Sequence, residues 1–250
     1  MAFRTKFLSR GLSRLGSIIF LLATLLILTG SDRTSEIKVI ELKGPPAVIV
    51  MADGSTPPVR VGELLPLGAT VKTPADSTLK LLFANGAIVI LQPRSQLRLA
   101  LFASKDSLEA QKNLNARTPE SSESTTNLDL KSGTVMIDVP TLKKESKFEV
   151  TTPLGIAGVR GTRFYVNARK DRTAVGVAEG LVIATTLLGE SVQVRPNQAI
   201  GLTAKGLTPA TANEVQYIQT LDAAFGKTPR PAKATPKPAQ KSSAGYRVSE

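Results

Sequence analysis

The chain has 250 residues and a net charge of +12, and it contains neither histidine nor cysteine. Those two absences exclude disulfides, zinc thiolates, thiol nucleophiles and the lipid-anchor cysteine of bacterial lipoproteins, and they remove the usual general base and the commonest metal ligand. With aromatics at 4% and no tryptophan, the core has to be built from Val, Ile, Leu and Ala, a composition that suits flat, closely packed β layers. The length allows one large or two small domains. Charge is concentrated at the ends, so residues 32–226 hold 22 basic against 19 acidic residues. A near-neutral fold without a basic stripe interleaved with aromatics argues against nucleic acid as a partner.

In chain order, Arg4, Lys6, Arg10 and Arg14 form a positive leader before an uncharged apolar run over 15–31. The run lies between the ~7–15 residues of a signal-peptide core and the ~20 of a membrane span. Residues 1–31 are therefore read as a signal peptide or an uncleaved signal anchor. Either places the rest outside the cytoplasm: periplasmic, secreted or anchored to the inner membrane.

From 37 to 202 short β-like runs alternate with turn residues. Examples are Val48–Val50, Leu79–Phe83, Ala87–Leu91, Gln96–Leu101, Thr134–Val139, Lys147–Val150, Arg163–Val166, Ala174–Val177, Leu181–Thr186 and Ser191–Val194. Val135/Ile137/Val139 alternates as a strand with one buried face does. Asp53-Gly54, Asn85-Gly86, Ser132-Gly133 and Glu179-Gly180 read as turns, and Asn85-Gly86 predicts a two-residue hairpin. The fold class is all-β, either a sandwich or a short solenoid-like stack. Residues 104–127, polar and Ser/Thr-rich towards their end, read as an exposed insertion loop, with a short helix over Ser107–Asn115. Over 209–226, Val215, Ile218, Leu221, Ala224 and Phe225 share one face of a short amphipathic helix that packs back on the domain. The Lys/Pro-rich residues 227–250 read as a disordered tail.

The densest pattern is Thr152-Pro153-Leu154-Gly155-Ile156-Ala157-Gly158-Val159-Arg160-Gly161-Thr162-Arg163-Phe164-Tyr165-Val166. Its glycines recur every three residues, and Pro153 opposes a helix start. The spacing is not that of a dinucleotide fingerprint, and β-like residues follow instead of a helix, so it is no phosphate cradle. Arg160 is expected to bridge to a carboxylate such as Glu179 and lock the turn. No spacing among Asp129, Asp138, Glu145, Glu149 and Glu179 singles out a catalytic pair. No catalytic, cofactor or metal residues are assigned.

This segment resembles the signature of the FecR domain family, through Thr152, Pro153, Gly155, Ala157, Val159, Arg160, Gly161, Thr162, Phe164 and Val166. The similarity extends to Gly68–Thr73, Ser77–Ala87, Leu130–Val135 and Val175–Val182, and covers roughly 38–202. Family members known as envelope regulators carry a cytoplasmic anti-sigma region before their membrane span, and too few residues precede the apolar run here for one. The resemblance therefore implies a non-enzymatic extracytoplasmic binding module. Its expected partner is an envelope protein or glycopolymer, with the membrane added through residues 15–31 if they are retained. The alternative is a membrane-tethered sensor acting with a separate anti-sigma or sigma partner. Whether the ten signature residues bind or only build the fold is left open by the sequence.

Overall fold

The computed structural model describes residues 36–111 and 119–225. The apolar run over 15–31 and the tail over 227–250 lie outside the described residues. Among the described residues no helix is long and apolar enough to cross a membrane. Predominant β structure followed by short C-terminal helices matches the expected class.

The strands are β1 (Ile37–Lys43), β2 (Val48–Val50), β3 (Thr70–Lys72), β4 (Thr78–Phe83), β5 (Ile88–Leu91), β6 (Gln96–Ala103), β7 (Thr125–Asp138), β8 (Lys147–Thr152), β9 (Gly155–Val159), β10 (Arg163–Ala168), β11 (Thr173–Glu179), β12 (Val182–Thr186), β13 (Ser191–Val194), β14 (Gln198–Thr203) and β15 (Gly206–Pro209). Two helices follow, α1 (Ala212–Tyr217) and α2 (Gln219–Phe225). The strands form one curled sheet in which β7 belongs to two ladders. One runs β1-β4-β5-β7-β10-β11-β14-β15 through the second half of β7. The other runs β2-β3-β6-β7-β8-β9-β12-β13 through its first half. Neighbours are antiparallel except β7 and β8, which run parallel.

The inner faces of the two ladders share one core. Val135 and Ile137 of β7 point into it, while Met136 between them points to the outer face of the first ladder. Phe83 of β4 meets Phe102 of β6 edge to face at 5.1 Å, joining the layers through one of the few aromatic pairs available. Aliphatic side chains supply the rest, as the composition requires.

The curl is made at Ser132-Gly133, which the sequence reading took for a turn. The pair is instead a corner inside a single long strand. Gly133 has φ +90, and a Cβ there would fall 2.5 Å from Ser95 Cα. Ser95 fills that space and bonds both ways to Thr134: its Oγ donates to the Thr134 carbonyl at 3.0 Å and accepts from the Thr134 N–H at 2.9 Å.

Two other local readings are corrected. Asn85-Gly86 is part of a three-residue hairpin loop, with the Gly86 N–H bonded to the Phe83 carbonyl at 2.8 Å and Gly86 at φ +83. This is the turn-plus-left-handed-glycine form, and Asn85 is buried with its amide donating to Ser124 Oγ at 3.0 Å. The 104–127 segment, described over 104–111 and 119–127, is clasped at its base and is not exposed throughout. Asp106 accepts the N–H groups of Ser121 and Ser122 at 3.2 and 3.3 Å. Glu120 accepts from Lys143 N–H at 2.9 Å and Ser146 Oγ at 2.6 Å. Thr125–Asn127 already belong to β7, paired with Leu101–Ala103 of β6.

Three of the four outer edges are closed. Residues 57–65 cover β1 and β2, through bonds such as Val39 N–H to the Glu63 carbonyl at 2.9 Å and Ile49 N–H to the Pro57 carbonyl at 3.0 Å. On β15, Leu207 N–H donates to Glu190 at 2.9 Å, and Pro209 ends the strand. Along β13 no outward backbone partner is present among the described residues.

The layers meet tightly at Gly155, where a Cβ would fall 2.2 Å from the Thr185 carbonyl oxygen and 2.6 Å from Leu202 Cδ2. Gly155→Ala is expected to cost about 1–3 kcal/mol, the range for overpacking. Gly189→Ala, where no atom lies within 4 Å of a Cβ, carries only its backbone penalty. Thermal melts of the two variants beside the parent check the order.

Candidate functional site

The signature segment crosses from one ladder to the other, and its polar side chains bond inward. Thr152 Oγ1 donates to the Gly155 carbonyl at 2.9 Å and accepts from Leu154 N–H at 3.3 Å and from Thr173 Oγ1 at 3.1 Å. Thr162 Oγ1 donates to the Leu181 carbonyl at 2.9 Å and accepts its N–H at 3.3 Å. This ties the β9–β10 connection to the turn between β11 and β12, where a Cβ on Gly180 would lie 2.5 Å from the Gly161 carbonyl oxygen. Ala157, Val159, Phe164 and Val166 are in the core, while Pro153 and Arg160 are exposed.

Arg160 is exposed, and the buried bridge in this segment is made by Arg163. That side chain is 4% exposed, with Nη1 2.9 Å from Asp222 Oδ1 and Nη2 3.6 Å from Asp138 Oδ2. The alternation of β10 explains its place: Phe164 faces the core, so Arg163 and Tyr165 face outward, beneath α2 and α1.

The outer face of the first ladder carries a trough of small residues. Register places Gly176 opposite Tyr165, and Ala174 opposite both Asn167 and Gly201. A Cβ on Gly176 would lie 2.2 Å from the Tyr165 ring, and one on Gly201 would lie 2.4 Å from the Arg172 guanidinium. The two large side chains thus lie flat where a strand face would ordinarily be filled. α1 and α2 cover them as a strap, burying Ile218 and Leu221 against Ile90, Met136, Tyr165 and Ala174.

The strap packs back on the domain through the expected Ile218 and Leu221, with Ala224 and Phe225 partly buried beside them. It departs from expectation at its start, where Val215 is 43% exposed and Glu214 is buried. A carboxylate can be inside because both of its oxygens are hydrogen-bonded and its charge is paired. Arg172 binds it with Nε to Oε1 and Nη2 to Oε2, both at 2.7 Å. Glu214 also accepts the Thr211 N–H at 2.8 Å, and Thr211 Oγ1 accepts the Glu214 N–H at 3.3 Å, closing a capping box. Tyr165 donates its hydroxyl to the Glu214 carbonyl at 2.6 Å and stacks edge to face on Tyr217 at 4.8 Å. Burial alone would raise the Glu214 carboxyl, but the Arg172 and Thr211 hydrogen bonds hold it below its ordinary value of 4.5. Burial, and then the Glu214 charge, push the Tyr165 phenol up, so it remains a donor.

A cavity of about 350 Å³ opens between α1 and the β10–β11 hairpin, lined by Asn167, Arg169, Asn213 and Tyr217 with the locked Tyr165, Arg172, Thr211 and Glu214. A larger open groove of about 630 Å³ runs along the other side of the helices past Ala178, Asn197 and Gln219. Arg163, Tyr165, Arg172 and Glu214 were not singled out in the sequence. The Thr211-x-x-Glu214 capping box was the one readable signal among them; a pair 42 positions apart, Arg172 with Glu214, has none.

Because the Glu214 carboxyl is held low in the folded state, its contribution to stability is full above about pH 4.5 and is lost as pH falls further. Arg172→Met should cost about 1.5–3 kcal/mol at neutral pH, the range for a charged hydrogen bond. The gap between parent and variant should shrink below pH 4.5. Denaturant unfolding at both pH values checks this, and a pH-independent gap contradicts it.

Residues 69–183 match the family model described as FecR protein. Solved structures with similarity include two crystal structures, at 1.65 and 2.50 Å, of a protein from Parabacteroides distasonis provisionally assigned as an anti-sigma factor. Each shares 16% identity, covers 59% of this chain and 62% of the other, and superposes with a TM-score of 0.43. The chain thus spans less than two thirds of those relatives. No curated protein matches significantly. The matched region runs from the residue before β3 into β12 and contains the corner strand and the whole signature, so the FecR model matches the same strands that carry the resemblance in the sequence.

Proposed function

We propose that the chain is a FecR-type regulatory protein, non-enzymatic, that works outside the cytoplasm by recognising an extended segment of another envelope protein. The observation that carries the reading is the β13 edge. Ser191-Val192-Gln193-Val194 holds no charge and no proline, the devices that ordinarily guard an edge strand. Ile183 on the adjoining strand is 48% exposed, and Leu187 and Leu188 at the hairpin tip are 69% and 65% exposed. An added strand would gain backbone hydrogen bonds from β13 and apolar contacts from these three side chains. Four residues of edge limit the addition to a short strand.

The inward bonding of Thr152 and Thr162 supports a separation of roles. The signature builds the link between ladders, and the contact surface lies at the far margin of the second one. The basic leader and apolar run over 15–31 favour a second form of the same reading, in which the protein stays tethered and its state is passed to a separate anti-sigma or sigma partner.

A photo-crosslinking residue at Gln193, in the protein expressed in its own host, should give one discrete adduct. Replacing Leu187 and Leu188 with Asp should remove that adduct while leaving the melting temperature unchanged. An adduct that persists in the double variant, or none in the parent, sinks the reading.

A further inference from the structure

The geometry points to a binding site for a small sugar acid in the cavity between α1 and the β10–β11 hairpin. This goes beyond the β13 contact, because the cavity lies on the other ladder and would take a soluble ligand or one unit of a glycan, not a peptide strand.

Size is the first constraint. A volume of about 350 Å³ lies at the lower end of the ~300–1,000 Å³ range for ligand pockets, enough for one monosaccharide. Saturation of the walls is the second. Arg172 and Glu214 neutralise each other, Arg172 Nη2 also donates to the Pro209 carbonyl at 2.8 Å, and the Tyr165 hydroxyl is spent on Glu214. In the capping box Thr211 and Glu214 satisfy each other's N–H groups.

The groups with capacity left define the ligand. Arg169 and Asn213 are exposed, and neither side chain has a hydrogen bond to another described residue. Asn167 donates its amide to Thr134 Oγ1, which leaves its carbonyl oxygen. Tyr217 offers a half-buried ring. A cation beside a neutralised pair selects an anion, and arginine's planar fork suits a carboxylate. Two amides supply donors and acceptors for adjacent hydroxyls, and an aromatic face accepts the apolar face of a sugar ring. Inorganic phosphate would satisfy Arg169 and leave the amides and the ring unused. Asp171, in the same hairpin, does not line the cavity.

The position gives occupancy a consequence. Four of the lining residues come from β10 and its hairpin, and four come from Thr211 to Tyr217. A bound ligand therefore bridges sheet and strap, and favours the closed strap by mass action.

The test is a titration of the isotopically labelled full chain with glucuronate, glucose and inorganic phosphate, followed by backbone amide shifts. Glucuronate is expected to shift amides over 167–172 and 211–217 and to saturate below about 10 mM. Glucose is expected to bind about tenfold more weakly for want of the Arg169 contact. Arg169→Gln should remove that preference without changing the melting temperature, and Asn213→Asp should weaken glucuronate by placing a like charge at the site. No shift over those two stretches at 10 mM glucuronate, phosphate binding as tightly as glucuronate, or unchanged selectivity in Arg169→Gln overturns the proposal. None of these results bears on the Gln193 adduct, so the two readings fail separately.

Discussion

The close approach of Ser95 to Gly133 governs the rest of the molecule. β7 is shared by both ladders, and it changes ladder where Gly133 takes φ +90 and leaves room for Ser95. Every strand pairing on either side is registered from that corner. Ser95 N–H donates to Thr73 Oγ1 at 2.9 Å, and Thr73 Oγ1 donates to the Gln92 carbonyl at 2.6 Å, so the corner is braced from the β3 side as well. A bend held by buried, mutually satisfied side-chain bonds has few alternative geometries. It sets the facing of the two layers, and through them the single aliphatic core.

The second organising feature is a balance between omission and charge on the outer face. Glycine at 176 and 201 removes side chains where Tyr165 and Arg172 need to lie; the strap then bonds them through Glu214 and holds Arg163 through Asp222. The two latches are unequal. Glu214 is buried with both oxygens hydrogen-bonded, while the Asp222 side chain is 51% exposed. The Asp222 end therefore has more access to solvent screening and contributes less. A strap firm at α1 and looser at α2 is suited to respond where a ligand can reach α1. The strap also lies outside the FecR-matched residues 69–183.

Much of the β organisation was legible because period-2 alternation is local. Val135, Ile137 and Val139 face the core as their spacing requires. What escaped was non-local. Gly155–Val159, whose glycines weaken any strand pattern, is a strand, and Gly155 admits the facing layer. Ser132-Gly133 carries a turn composition and is a corner within a strand, a distinction made by Ser95, 38 residues earlier. The same limit applies to the buried arginine. Arg160 and Arg163 lie three positions apart in one motif, and only the strand parity of β10 decides which one faces the strap. Glu214 takes the place expected of Val215 at the start of the strap because its partner, Arg172, belongs to a hairpin far back in the chain.

Native-state hydrogen exchange on the parent and on Gly133→Ala tests the corner most directly. If the corner unites the layers, amides of β4, β5 and β10 and those of β8, β9 and β12 should lose protection together and by a similar factor. Loss confined to one ladder, with the other unchanged, would mean that the layers are stabilised independently and that the corner does not govern the fold.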